Sequence, residues 1–136
     1  MGTAAGTVSE RIRAALDAHD ADALQACFHA GYRSEQPAHP DRAFTGSDQV
    51  HANWSAIFAG VPDLRAELLR VAAAGGEEWS EWHMHGTRRD GSAFSMRGVI
   101  INGVEDGRVA WARLYLEPEE VAGAGIEAAV DRHARG

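Results

Sequence analysis

His83 and His85 are separated by one residue in a segment of alternating character, and in an extended strand residues i and i+2 project from the same face. Two imidazoles on one face supply either a general base that titrates near neutral pH or two ligands for a metal ion. Glu81 would share that face and complete a three-ligand set. Ligands in a row on one straight strand seldom converge on one ion, however, so no metal centre is expected. Arg113 stands between Trp111 and Tyr115, again at strand spacing. A guanidinium there can polarise a carbonyl or bind a carboxylate bidentately, or form an ion pair with Glu81, Glu117 or Glu35. The catalytic expectation is therefore His83 or His85 as base, with Arg113 stabilising an enolate.

These residues fall in Glu77 to Pro118, a stretch of three strand-like runs separated by Asp90-Gly91 and Asp106-Gly107. Asp-Gly between alternating segments is a strong hairpin signal, so a three-stranded antiparallel meander is expected. With two-residue turns His85 lies opposite Met96, and Ile100 opposite Arg113. One face then carries Glu81, His83, His85, Phe94, Met96, Ile100, Asn102, Trp111, Arg113 and Tyr115. The opposite face carries Trp82, Met84, Ile101, Ala112, Leu114 and Leu116. The first face mixes aromatic and hydrogen-bonding groups as a small-molecule pocket does, and is expected to line a cavity. A bulged three-residue turn at either Asp-Gly would break this partition, since a one-residue slip turns every side chain over.

Elements upstream must supply the remaining walls. Thr7 to Glu10 reads as a capping box opening a helix with Val8, Ile12, Ala15, Leu16 and His19 on one face. Asp20 or Asp22 caps a short second helix with Leu24, Cys27 and Phe28 on its apolar side, ended by Gly31. Cys27 there reads as buried and inert. Tyr32 to Gln36 alternate as a short strand, followed by a proline-bearing loop with His39. A third helix opens near Thr45 to Ser47, with Val50, Trp54, Ile57, Phe58 and Val61 at helical spacing; Trp54 and Phe58 are expected to reach the sheet. Leu64 to Ala73 reads as a long strand, with helix as the alternative, and Gly75-Gly76 as a turn. Residues 119–136 read as a tail or weak helix.

The chain has 136 residues with 45% hydrophobic content, enough for one core, and nothing divides it. All 13 basic residues are arginine. Without lysine there is no Schiff-base chemistry and no P-loop. A net charge of -7 with scattered arginines argues against nucleic acid or an anionic membrane as partner. A lone cysteine and the lack of a leader-like or membrane-spanning run point to a cytoplasmic setting.

Helix, helix, strand, helix and four strands describe an α+β domain with helices covering one face of a bent, mainly antiparallel sheet. That order, with DAHDADAL at the first helix junction, GSDQV at the third helix, GTRRDG at the hairpin and the closing DGRVAWARLYLEP, resembles the SnoaL-like branch of the nuclear transport factor 2-like superfamily. The resemblance spans about residues 8–118 and implies a cone-shaped barrel with a pocket in the concave face of the sheet. It also implies isomerase, cyclase, hydrolase, dehydratase or purely binding activities, among which fold does not choose. The steroid isomerases of the superfamily use a carboxylate base and a tyrosine–aspartic acid oxyanion hole. Aligned by eye, those positions fall at Gln36, Ile12 and Ile100, which cannot supply that chemistry. The expectation is a single SnoaL-like domain that binds a small apolar or aromatic molecule, either as a cofactor-free isomerase, cyclase or dehydratase or as a non-catalytic binding or interaction module. His83, His85 and Arg113 are the catalytic candidates; Tyr32, Gln36, Trp54, Phe58, Met96, Trp111 and Tyr115 are the ligand-binding ones. A homodimer is expected, because the resemblance implies sheets that commonly pair and because Trp82 and its apolar neighbours would need a cover; with the two faces exchanged, Trp111, Arg113 and Tyr115 would form the dimer contact instead.

Overall fold

In the computed structural model, residues 6–136 are described. Three helices, α1 (Val8–Ala18), α2 (Ala21–Gln25) and α3 (Ser47–Gly60), alternate with strands β1 (Phe28–Glu35) and β2 (Phe44–Thr45). Then come β3 (Arg65–Ala74), β4 (Glu77–Thr87), β5 (Ala93–Glu105), β6 (Arg108–Pro118) and α4 (Ile126–Arg135). The six strands form one sheet in the order β2-β1-β6-β5-β4-β3, parallel only between β1 and β6. The architecture is α+β, as expected. The sheet does not close into a barrel; β2 and β3 remain its edges.

α1 begins where the sequence places it. Thr7 and Glu10 form the capping box, with the Thr7 side chain accepting from the Glu10 N–H and Glu10 accepting from the Thr7 N–H. A second acceptor comes from the sheet. Buried Glu78 of β4 accepts from the Val8 and Ser9 N–H groups at 3.0 and 2.8 Å and from the Ser9 hydroxyl at 2.6 Å. A carboxylate thus satisfies amides that the first helical turn leaves without intrahelical partners, at the positive end of the helix dipole. This fastens α1 across the sheet, and Val8, Ile12, Ala15 and Leu16 are buried beneath it.

Several boundaries differ from the sequence reading. α2 is capped by Asp20, whose side chain accepts from Ala23, but it ends at Gln25. Phe28 to Gly31 already belong to β1, because pairing with β6 overrides the local helical pattern. β2 is too short to have a periodicity of its own. The long strand expected at Leu64 to Ala73 is present as Arg65–Ala74, paired with β4 except for one irregularity between Leu68 and Arg70, and α4 forms once the glycines at 123 and 125 are passed.

The decisive difference is register. Between β4 and β5 the loop carries three residues, Arg89, Asp90 and Gly91, with Gly91 at φ 88° and the Arg88 N–H donating to Ser92 O at 2.8 Å. Met84, not His85, therefore faces Met96. Between β5 and β6 the turn is the expected two-residue one, with Asp106 and Gly107 at φ 51° and 74°. A bulge then lets Val104 face Val109 while Gly103 faces Trp111, so Ile100 faces Leu114 rather than Arg113. Each one-residue step reverses the faces of an outer strand relative to β5. Gly103 accommodates the second step: a Cβ there would run into the Trp111 indole.

Trp82, Met84, Ala112 and Val109 consequently point under the helices and are buried, along with Leu16, Leu24, Tyr32, Val50 and Leu64. Trp82 is covered by the chain itself, so it does not need the cover of a partner that was expected for it. No helix among the described residues is long and apolar enough to cross a membrane.

Candidate functional site

Helices and sheet wall a partly open cavity of about 270 Å³. Its floor is the inner face of the sheet: Trp82 and Met84 from β4, Phe94, Met96, Ile100 and Asn102 from β5, and Leu114 and Leu116 from β6. α1 contributes Ile12 and Leu16, and α3 contributes Val50, Asn53, Trp54 and Ile57. Tyr32 and Ser34 of β1, followed by Gln36, Arg42 and Phe44, form the remaining wall. Inner residues alternate with outer ones along each strand, so the pocket floor is a direct reading of the corrected register.

The polar groups on this wall are few. Asn102 and Ser34 are buried and lie in one row across the sheet, each opposite Ala112. Tyr32 is buried between Phe28 and Phe44, whose rings meet it edge-on at 4.7 and 5.9 Å. Burial raises its phenol pKa to about 12, against a weaker opposing contribution from Ser34. Tyr32 is therefore a neutral hydrogen-bonding group at ordinary pH. Gln36 accepts from Arg42 at 3.0 Å. Among the described residues no carboxylate and no imidazole lines the cavity. Gln36, Ile12 and Ile100, the positions aligned with the isomerase base and oxyanion hole, all do.

Of the residues singled out from sequence, Tyr32, Gln36, Trp54 and Met96 are brought together on this wall. Phe58 lies behind it, stacked on His19 at 4.7 Å and tilted against Trp54. The placement of His83, His85, Trp111, Arg113 and Tyr115 is corrected: the two register steps turn all five to the outer face, away from the cavity. Arg113 pairs there with Glu35 at 3.3 Å, directly across from it on β1. Trp111 and Arg113 border an open groove with Arg33 and Thr45. His39 pairs with Glu117 at 2.9 Å. Asn102 lies on the face that was expected to line the cavity, whereas Ser34, Asn53 and Leu114 were missed; correct register would have found Leu114, and alternation with Tyr32 and Gln36 would have found Ser34.

The outer-face histidines form a cluster of their own. Glu67 of β3 faces His83 across the strand pair, and its carboxylate lies 3.6 Å from His83 Nδ1 and 3.1 Å from His85 Nε2. His83 Nε2 is 3.1 Å from Ser95 Oγ, which donates to Glu119 at 2.7 Å. Arg97 pairs with the same Glu119 at 3.1 Å. The hydrogen bond with His85, and secondarily both imidazole charges, holds the Glu67 carboxyl below its ordinary pKa. Contacts with Ser95 and then Arg97 do the same for Glu119.

The SnoaL-like domain model matches residues 9–112, most of the chain. The chain belongs to the SnoaL-like family. Solved structures agree on the fold. A hypothetical protein with a ketosteroid isomerase-like fold from Catenulispora acidiphila DSM 44928, solved in complex with trimethylamine, superposes at TM-score 0.70 with 14% identity, covering 81% of this chain and 85% of that one. An NTF2-like protein of unknown function from Exiguobacterium sp. 255-15 gives 0.68 with 20% identity over 85% and 100% of the two chains. A LEH-like epoxide hydrolase from M. tuberculosis gives 0.68 with 16% identity over 82% and 80%. At these identities the likeness establishes the shared fold alone. No curated protein matches the chain by sequence.

Proposed function

We propose that this SnoaL-like domain is a receptor for a small, mainly apolar molecule, and that binding in the cavity does not involve acid–base catalysis by the wall. The observation that carries this reading is the composition of the cavity: a mostly hydrocarbon wall whose polar side chains are Tyr32, Ser34, Gln36, Arg42, Asn53 and Asn102, with neither carboxylate nor imidazole among the described residues. An apolar lining with a few placed polar groups is the usual form of a small-molecule site. The volume of about 270 Å³ sits just below the ~300–1,000 Å³ usual for drug-sized ligands, which favours a compact one or two-ring molecule. A neutral phenol and a buried amide suit a ligand carbonyl or hydroxyl, and the one charged group on the wall, exposed Arg42, already donates to Gln36. Trimethylamine in the Catenulispora structure shows that a relative of this fold takes up a small organic molecule.

The test is a titration with the fluorescent aromatic ketone 2-acetylnaphthalene, followed by intensity change and isothermal calorimetry. Saturable 1:1 binding is expected, abolished by Leu114→Trp, which fills the cavity, weakened by Asn102→Leu, and unchanged in His83→Gln. Thermal denaturation verifies that each variant remains folded. Binding that survives Leu114→Trp and disappears in His83→Gln would place the ligand on the outer face and refute the reading.

A further inference from the structure

We propose that Glu67, His83 and His85 form a binding site for a borderline divalent cation, Zn²⁺ foremost, on the outer face of the β3–β4 hairpin, on the opposite side of the sheet from the cavity. One ligating atom from each residue lies within 4.8 Å of the other two. A tetrahedral site with metal–ligand bonds of about 2.0–2.1 Å has ligand atoms roughly 3.3 Å apart, so side-chain rotations closing the set by an ångström or so suffice. The objection that ligands in a row do not converge does not apply, because the third ligand comes from the neighbouring strand. Glu67 sits directly opposite His83, and its two oxygens already address both imidazoles, whose ring centroids are 4.7 Å apart.

The surroundings are those of a prepared ligand set. With Nδ1 of His83 turned to the ion, its Nε2–H faces Ser95 Oγ at 3.1 Å and the Glu119 carboxylate at 3.7 Å. A carboxylate behind a ligating histidine fixes its tautomer and raises its basicity. Nearby arginines are committed elsewhere: Arg97 to Glu119, Arg70 to Glu81 and Arg65 to Asp17. Glu67 is thus left to the imidazoles. A carboxylate with two histidines suits zinc and its neighbours in the transition series rather than calcium or magnesium, which prefer all-oxygen shells. Three protein ligands on an accessible face leave the fourth position to water or another donor.

The experiment uses the full chain without an affinity tag, freed of metal, titrated with ZnCl₂ by calorimetry and with CoCl₂ by visible absorption. One equivalent should bind, with the d–d bands of tetrahedral Co²⁺. Glu67→Gln and His85→Ala should each weaken binding by about 100-fold or more, and Glu119→Gln by about 10-fold. His51→Ala, whose imidazole pairs with Asp22 away from the cluster, serves as the control and should bind normally. Metal-free melting temperatures of all variants establish that they fold. Absence of saturable binding, or stoichiometric binding that persists in both Glu67→Gln and His85→Ala, or that is lost equally in His51→Ala, overturns the proposal.

Discussion

Tyr32 shows how much a single side chain takes from its surroundings. A phenol that is 3% exposed, with its pKa moved from 10.0 to about 12, is favoured in its neutral form by the fold. The group's folded pKa is raised, so its contribution is fully present below the unfolded value near pH 10 and is lost as pH climbs towards 12. In that interval the unfolded chain has released the proton and the native chain has not. The shift corresponds to about 2–3 kcal/mol. Urea unfolding of the parent and of Tyr32→Phe should therefore diverge in pH response: between pH 8 and 11.5 the parent loses more stability, by most of that amount. Equal losses in the two proteins would mean that Tyr32 titrates normally. His83 and His85 carry the opposite lesson. Their spacing correctly indicated a shared face, and the register at the hairpin loop, fixed by packing, decided which one.

At the scale of elements, two short irregularities set the faces of the β4–β6 meander. Gly91 in the first hairpin and the bulge opposite Gly103 in the second each shift register by one residue. Gly103→Ala should cost about 2 kcal/mol or more, because the new methyl group must displace the Trp111 indole from a packed position. Combining it with Trp111→Ala should recover part of the loss, and a double-mutant cycle by chemical denaturation would measure the coupling. The tie between β4 and α1 is tested in the same way. Glu78→Ala leaves the Val8 and Ser9 amides and the Ser9 hydroxyl without their acceptor, for an expected loss of about 2–3 kcal/mol. A change under ~0.5 kcal/mol, the size of an ordinary surface substitution, would show that water replaces the carboxylate.

For the whole molecule, the core and both candidate sites lie within residues 7–120, and α4 buries none of its residues. Removing residues 121–136 should shift the melting temperature by no more than about 2 °C and leave binding of the aromatic ketone unchanged. A larger shift would reveal packing of α4 against the domain.

What the amino-acid sequence determined by itself was local or averaged over long segments. The capping box at Thr7, the helical spacing from Val50 to Phe58, the two Asp-Gly turns and the alternation in the last strands specify elements through neighbours a few residues away, and their order was enough to indicate the family. The tertiary structure decided what depends on a single residue of offset. Whether Asp90-Gly91 closes a two- or a three-residue loop, and whether β6 bulges past Gly103, is settled by packing Trp82, Met84 and Leu114 beneath the helices. Alternation with period two reads the same on either face, so only burial against α1 and α3 could assign the apolar set inward and the histidines outward. The pairing of Glu67 with His83 and His85 likewise depends on strands being laid side by side, which no spacing along the chain records.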